Sequence, residues 1–424
     1  MRGIAVRLCQ TAITTSCLAR GLFAQRAYSW QEIQERFLMA NPTLQAAQLN
    51  VQESRDQETT AYLRPNPDFT VATDGTQLAP SHGVYQPFPG TQVSTAVTYL
   101  HEREHKRELR RGSAEQETSI AESQQLDAER SLLFSLRAAF VQTLQAKAML
   151  ASARENLNYY DQELGINRER FRAGDISQLD LNRLQLQRVQ YESDLAAAQV
   201  NLRTAKIGLL MLLNDRTPVD QFDVSGRFEY SEGLAALEEY RNMALEGRPD
   251  LKAAMQAIEK AQIDHRLAIA NGSTDPTFSS WWTHNPSFNN PFDNNTIGVS
   301  VSIPLRIFDK NQGEKARTQT EIGRVERLRD ATQAQVFNDV DSAYYTVSNA
   351  LSLLKPYTET YLPTATTVRD TMSYSYQRGQ AALVDFLDSQ RDYRATQVAY
   401  INLVGSYLIA AAQLNLAVGR EVLP

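Results

Sequence analysis

Residues 297–305 read Ile-Gly-Val-Ser-Val-Ser-Ile-Pro-Leu, with a large apolar side chain at every second position. Because successive side chains of a strand point to opposite faces, this segment predicts a β-strand with one apolar face and one polar face. Its length and pattern are typical of an outer-membrane barrel, where the apolar face contacts lipid and the polar face contacts a wet lumen. The alternative is an ordinary water-facing sheet packed on helices.

The sequence around this strand occurs twice, at a spacing of about 205 residues. Four segments correspond between the two halves: Asn41-Pro42 with Arg248-Pro249, Pro67-Asp68-Phe69 with Pro276-Thr277-Phe278, 93–100 with 297–304, and Phe171-Arg172-Ala173-Gly174 with Tyr376-Gln377-Arg378-Gly379. We therefore predict two repeats, residues 25–220 and 221–424. Each repeat is expected to contain a helix, two strands joined by a loop, a very long helix, a turn and a long helix.

The predicted strands number four per chain, which is too few to close a barrel. Since an open sheet edge is not stable in lipid, several chains must contribute strands. The loops between the strands, residues 74–90 and 285–295, are rich in Pro, Gly and Asn, as exposed turns are. Four aromatic residues near the second loop fit an interfacial girdle: Trp281, Trp282, Phe288 and Phe292.

Two long stretches, residues 110–214 and 313–419, have helix-forming composition and are each broken at a Gly-containing turn. We expect two helical hairpins with arms of about 50–60 residues, or about 75–90 Å at 1.5 Å per residue. Heptad spacing along both returning arms predicts coiled-coil packing. The heptad positions are Phe386, Tyr393, Tyr400, Tyr407 and Leu414 in the second arm, and Leu181, Leu184, Tyr191, Leu195, Ala198, Leu202, Ala205, Leu209 and Leu212 in the first.

Composition and charge exclude some classes of protein. The net charge of -6 has no basic concentration, so no nucleic-acid partner is expected. The mean hydropathy is -0.42, and we expect no apolar run of membrane-helix length. Residues 1–24, which include Cys9 and Cys17, are typical of a signal peptide. Its removal would leave a chain without cysteines, and we do not expect acylation of Cys17.

With these repeats and glycine-centred turns, the chain resembles the TolC family of outer-membrane efflux proteins over essentially its whole mature length. Two features are similar to the cobalt-zinc-cadmium, or CzcC-like, heavy-metal branch of that family. These are Asn41-Pro42 followed by Pro65-Asn66-Pro67, and residues 301–305 leading into Phe308-Asp309-Lys310-Asn311-Gln312-Gly313. The first strand exit, residues 99–107, departs from the family because it lacks a Gly-containing turn.

The resemblance implies an α+β membrane protein that forms a homotrimer, with a twelve-stranded β-barrel in outer-membrane lipid and an α-helical tunnel in the periplasm. It implies a passive channel without cofactors, served by a periplasmic adaptor (membrane fusion protein) and an inner-membrane transporter. The metal branch suggests heavy-metal cations as substrates. Drug efflux and type I protein secretion are the alternatives within this fold. We expect no metal site along the tunnel, since the chain has no ladder of Met or His.

By position in the family motif, Asp385 and Asp388 are expected to form an acidic ring at the closed tip, and Tyr376 and Asp180 to lock neighbouring coils. The tips themselves, at Gly174, Asp175, Gly379 and Gln380, are expected to receive the adaptor. Ala381 replaces the Arg that completes the lock in some relatives. The alternative for the two aspartates is a solvated position near a helix N-terminus.

A competing function comes from His101-Glu102-Arg103-Glu104-His105, which matches the H-E-x-x-H signature of zinc metalloproteases. That chemistry requires both His on one face of a helix. The segment lies where a predicted strand end passes into a helix, so the two imidazoles need not share a helical face. The sequence therefore favours a channel over an enzyme.

Overall fold

The computed structural model describes residues 26–80, 82–88, 90–286 and 294–423. The predicted signal peptide with its two cysteines, and Phe288 and Phe292, lie outside the described residues. The elements in chain order are β1 (Arg26–Tyr28), α1 (Trp30–Ala40), α2 (Pro42–Tyr62), β2 (Asp68–Asp74), β3 (Gln92–Leu100), α3 (Lys106–Ala173), α4 (Gln178–Leu212), β4 (Phe222–Val224), α5 (Leu237–Gly247), α6 (Pro249–Asn271), β5 (Thr277–His284), β6 (Asn295–Ser302), α7 (Gln312–Pro356), α8 (Leu362–Gln377) and α9 (Leu383–Val418).

The four long strands form one antiparallel sheet in the order β2-β3-β5-β6, so a hairpin from each half meets at the β3–β5 pair. The register places all the odd-numbered apolar residues of β6 on one face. Ile297 and Val299 on that face are 79% and 78% exposed in the protomer. The apolar face therefore does not pack on the helices, which removes the water-facing alternative and leaves a surface suited to lipid.

The two adjacent tryptophans of β5 lie on opposite faces of this sheet, because side chains alternate along a strand. Trp282 pairs with Ile297 on the apolar face, whereas Trp281 pairs with Gly298 on the polar face. The prediction that both belong to an interfacial girdle is therefore wrong for Trp281.

The helical hairpins have arms of unequal length, contrary to the expected 50–60 residues. α3 runs unbroken for 68 residues and α4 returns for 35. In the second half a π-helical segment, Tyr357–Tyr361, separates α7 from α8. The segment lies between Pro356 and Pro363, and each proline lacks the N–H that a continuous α-helix would donate at its position.

α9 contradicts the expectation that no apolar stretch reaches membrane-helix length. It contains a window with a mean hydropathy of 1.5, and 61% of that window is buried inside the protomer. α9 packs against α3, α7 and α8. Its heptad residues Phe386, Tyr407 and Leu414 are almost fully buried, which confirms the predicted coiled-coil seam. The apolar composition of α9 is thus accounted for by the protein core.

A short two-stranded sheet joins the start of the first repeat to the start of the second. β1 and β4 pair in parallel, and Phe222 and Val224 of β4 are fully buried. Asp223, between them, lies 2.8 Å from Lys147 Nζ of α3 and 3.1 Å from Lys206 Nζ of α4. These contacts anchor the strand pair to the first helical hairpin.

Candidate functional site at the helical tips

Two turns of the same construction end the helical hairpins. Gly174 closes α3 with a φ of 88°, and the Asp175 N–H donates to the Arg170 carbonyl at 2.8 Å. Gly379 closes α8 with a φ of 73°, and the Gln380 N–H donates to the Ser375 carbonyl at 2.9 Å. A left-handed residue followed by this hydrogen bond defines a Schellman turn, which glycine adopts without steric cost.

The two turns differ in how the next helix begins. Ser177 caps α4: its hydroxyl accepts from the Asp180 N–H at 3.1 Å and donates to the Asp180 carboxylate at 2.8 Å. At the second turn Ala382 occupies the cap position and has no side chain to do this. Asp385, which corresponds to Asp180, therefore has no hydrogen bond or ion pair with any described residue.

The two aspartates of the predicted acidic ring are both exposed in the protomer. Asp385 lies in the first turn of α9, where the helix dipole favours a carboxylate. Asp388 lies one turn further and contacts the Arg391 guanidinium at 3.1 Å. Asp385 is thus the less compensated negative charge. Their arrangement around a threefold axis remains a prediction.

An aromatic cluster packs the four helices together above the turns. Its buried members are Tyr160, Leu164, Leu181, Leu184, Tyr191, Tyr376, Leu383 and Phe386. Tyr160 stacks on Tyr191 with ring centroids 4.6 Å apart, and the Tyr160 hydroxyl donates to the Leu184 carbonyl. The cluster couples α3 and α4 to α8 and α9, so the two hairpins are packed as one body near the tip.

Tyr376 contributes its ring to this cluster. Burial raises its pKa, while the Arg170 guanidinium, 5.1 Å from the ring centroid, opposes the shift. Its hydroxyl is buried without a hydrogen-bond partner among the described residues. No hydrogen bond joins it to Asp180 in the described protomer, and that carboxylate accepts from the Ser177 hydroxyl instead. The Tyr376–Asp180 lock therefore remains a prediction for the assembled protein.

Sequence reasoning missed Glu163, which bridges the two hairpins at the same level. Its side chain is buried, and its carboxylate accepts from the Ser373 hydroxyl at 2.6 Å and from Gln377 Nε2 at 3.0 Å. All three groups lie within one turn of the aromatic cluster. Glu163 directly precedes Leu164, which is a member of the cluster. A charged residue next to an apolar seam is the feature of the sequence that could have pointed to this bridge.

Each tip also carries one exposed apolar residue in the first turn of its returning helix. Leu179 is 60% exposed and Val384 is 57% exposed. These positions correspond between the repeats. Beside them Gly174, Asp175, Gly379 and Gln380, the predicted docking residues, are exposed as well. The tips thus present small, polar and apolar groups to solvent.

The H-E-x-x-H segment does not form a zinc site of the protease type. His101 follows the end of β3, and His105 precedes α3 with a φ of 54°, so the pair does not occupy one helical turn. Glu102 accepts from both terminal nitrogens of Arg110, one of them at 2.8 Å. Glu104 also has a positive φ, of 55°. These two left-handed residues make the turn between β3 and α3, in a conformation that glycine adopts more readily.

Comparison with known proteins gives a family match and a set of structural relatives. A family described as outer membrane efflux protein matches residues 34–215 and 240–420. The cobalt-zinc-cadmium resistance protein CzcC of Cupriavidus metallidurans is 22% identical over 363 residues, which is 85% of this chain and 82% of the relative.

Solved structures with the same fold include two transmembrane channels. The crystal structure of CusC has a TM-score of 0.77 at 18% identity and covers 92% of both chains. The open-state MtrE channel of Neisseria gonorrhoeae has a TM-score of 0.75 at 16% identity, with 93% of this chain and 89% of MtrE covered. The fold is therefore that of TolC-like outer-membrane channels.

Proposed function

Because the chain belongs to the outer membrane efflux protein family, we propose that it is the outer-membrane channel of a tripartite pump that exports heavy-metal cations. Efflux in the outer membrane, and the assignment as a channel and not an enzyme, follow from the family. The pump, the trimer and the metal substrate are the proposed part.

The open edges of the sheet support a trimer. β2 and β6 each pair with one neighbour only, so each leaves a free edge in the described protomer. Unpaired backbone groups are unstable in lipid, and a barrel removes them by closure. Three copies of the four-stranded sheet supply twelve strands, and their apolar faces then form one continuous outer band. The two free edges are the single observation that carries the trimeric channel.

The construction of the tips supports a gate that an adaptor operates. The aromatic cluster and Glu163 hold α8 and α9 against α3 and α4. Beyond this packed level the exposed residues Leu179 and Val384 are available to a partner. In the proposed gate, this packing keeps the end of the tunnel narrow, and contact by the helices of a periplasmic adaptor at both tips competes with it.

Two observations support metal cations as the substrate. The relative from Cupriavidus metallidurans is named for resistance to cobalt, zinc and cadmium. In addition, three copies of Asp385 near the axis would create a negative potential that attracts cations and excludes anions. A channel of this kind selects weakly, and the inner-membrane transporter would make the finer choice.

The test combines a physical and a biological measurement. The mature protein should fractionate with the outer membrane, require detergent, and have the mass of a trimer by light scattering. Deletion of its gene in the native host should lower the tolerated concentration of cobalt, zinc or cadmium, but not that of dyes or detergents. A water-soluble monomer would contradict the proposed channel. If the deletion strain became sensitive to dyes but not to metals, the substrates would be drugs and not metal cations.

A further inference from the structure

Trp281 lies on the polar face of the barrel sheet. The register places it opposite Ala96 of β3 and Gly298 of β6. The other residues of the four strands on that face are small, polar or aliphatic: Asp68, Thr70, Ala72, Asp74, Gln92, Ser94, Ala96, Thr98, Leu100, Thr277, Ser279, Thr283, Thr296, Gly298, Ser300 and Ser302. Trp281 is thus the one aromatic side chain on this face among the described strand residues.

Gly298 determines where the indole lies. A Cβ built at Gly298 would come within 2.2 Å of two carbons of the Trp281 ring and 2.7 Å of its nitrogen. The ring therefore covers the backbone of β6 at the one position in that strand without a side chain. Aromatic residues stabilise glycine in a neighbouring strand in this way. In this position one face of the indole contacts the sheet and the other is turned away from it.

The environment of Trp281 follows from the residues on the opposite face of the sheet. Trp282, Ile297 and Val299 are exposed and apolar, and they lie on the other side. If that side contacts lipid, as the proposed barrel requires, the Trp281 face lines the lumen. Three chains then place three indoles around the axis. Indole faces attract cations, because the face of the ring carries negative charge density.

We propose that Trp281 forms, in three copies, an aromatic ring on the inner wall of the barrel that passing cations contact. The proposal rests on the trimeric channel proposed above. It adds a site in the barrel, remote from the helical tips, at which the channel interacts with what it exports. The face of each indole that is turned away from the sheet is the contact surface, and Gly298 leaves room for the ring to lie flat on β6.

The experiment uses the two adjacent tryptophans as matched probes in the full-length trimer. The sequence has three tryptophans, so Trp30→Phe with Trp282→Phe leaves Trp281, and Trp30→Phe with Trp281→Phe leaves Trp282. Each protein is reconstituted in lipid bilayers, and its tryptophan fluorescence is measured with one of two quenchers. The first is a lipid with brominated acyl chains, which quenches from within the bilayer. The second is caesium ion, which is added to the water. Caesium should quench Trp281 with a severalfold larger constant than Trp282, and the brominated chains should quench Trp282 alone.

The outcomes separate this proposal from the proposed function. If the brominated chains quench both Trp282 and Trp281, and caesium does not quench Trp281, then Trp281 does not line the lumen. That result contradicts the aromatic ring but is compatible with the proposed barrel. If they quench neither, the sheet is not in lipid and the channel fails as well. Gly298→Ala should lift the indole from β6 and increase its quenching by caesium, whereas Ser300→Ala, two residues along the same face, should leave it unchanged. An unchanged constant in Gly298→Ala contradicts the assigned position of the ring.

Discussion

The phenol ring of Tyr376 stacks on the ring of Phe386, with centroids 5.0 Å apart and planes inclined by 17°. Tyr376 lies in the last turn of α8 and Phe386 in the first turn of α9, so the contact closes the second hairpin just above the Gly379 turn. Both side chains are buried in the aromatic cluster that joins the two hairpins. This ring packing within the protomer therefore needs no hydrogen bond from the Tyr376 hydroxyl.

Replacing Tyr376 tests this packing. Tyr376→Ala should loosen the tip, because loss of a buried aromatic side chain costs about 3–5 kcal/mol. The single-channel conductance in planar bilayers should rise. Tyr376→Phe keeps the stacking and removes a hydroxyl that has no partner in the described protomer, so its conductance should equal that of the parent. If Tyr376→Phe opens the channel as much as Tyr376→Ala, the hydroxyl bonds Asp180 in the trimer and packing is not the main restraint.

Asp385 should dominate the charge at the tip. Its carboxylate has no partner among the described residues, whereas Asp388 is compensated by Arg391 at 3.1 Å. Asp385→Asn should therefore reduce cation preference, and block by divalent cations, more than Asp388→Asn does. Reversal potentials in a salt gradient measure this. Asp392→Asn is the control, since that exposed side chain is also near Arg391. Equal effects of the three variants would contradict an acidic ring at Asp385.

Glu163 should link the two hairpins through Ser373 and Gln377. Glu163→Ala leaves these donors unsatisfied in a buried site, at a cost of about 1–3 kcal/mol. Hydrogen exchange of the α8 backbone amides should become faster, and conductance should increase. Glu169→Ala on the same helix removes a carboxylate that is 69% exposed and paired with Arg172, so it should change neither quantity. Unchanged exchange in Glu163→Ala would show that the ring cluster alone holds α8.

The sequence predicts those parts of the molecule that depend on local periodicity. The period of two in residues 297–302 and the heptads at Phe386, Tyr407 and Leu414 predict the strand and the buried seam, because burial follows directly from spacing. The positions of Trp281 and Glu163 are harder to predict, since they depend on register and on contacts between the two halves. The trimer lies beyond the single chain, although the free edges of β2 and β6 require a partner.

The ion cluster that anchors β4 should make stability depend on acid pH. Burial alone would raise the pKa of Asp223, but hydrogen bonds and charge from Lys147 and Lys206 outweigh it and hold that pKa below the ordinary value. Because the folded pKa is depressed, the stabilisation is complete above the unfolded value of about 3.9 and is lost as the pH falls through the folded value. The thermal midpoint of the parent trimer should therefore fall as the medium is acidified below about pH 4.

Asp223→Asn separates this carboxylate from the many other groups that titrate in acid. The variant should have a lower thermal midpoint than the parent at neutral pH, because two ammonium groups lose their common counter-ion, and the difference should shrink in acid. Asp220→Asn is the matched control: it alters a nearby carboxylate that is 75% exposed beside Arg203, and exposed pairs contribute little. The thermal midpoints of the parent and of Asp223→Asn could instead fall in parallel from neutral pH into acid. That result would show that this ion cluster does not cause the loss of stability in acid.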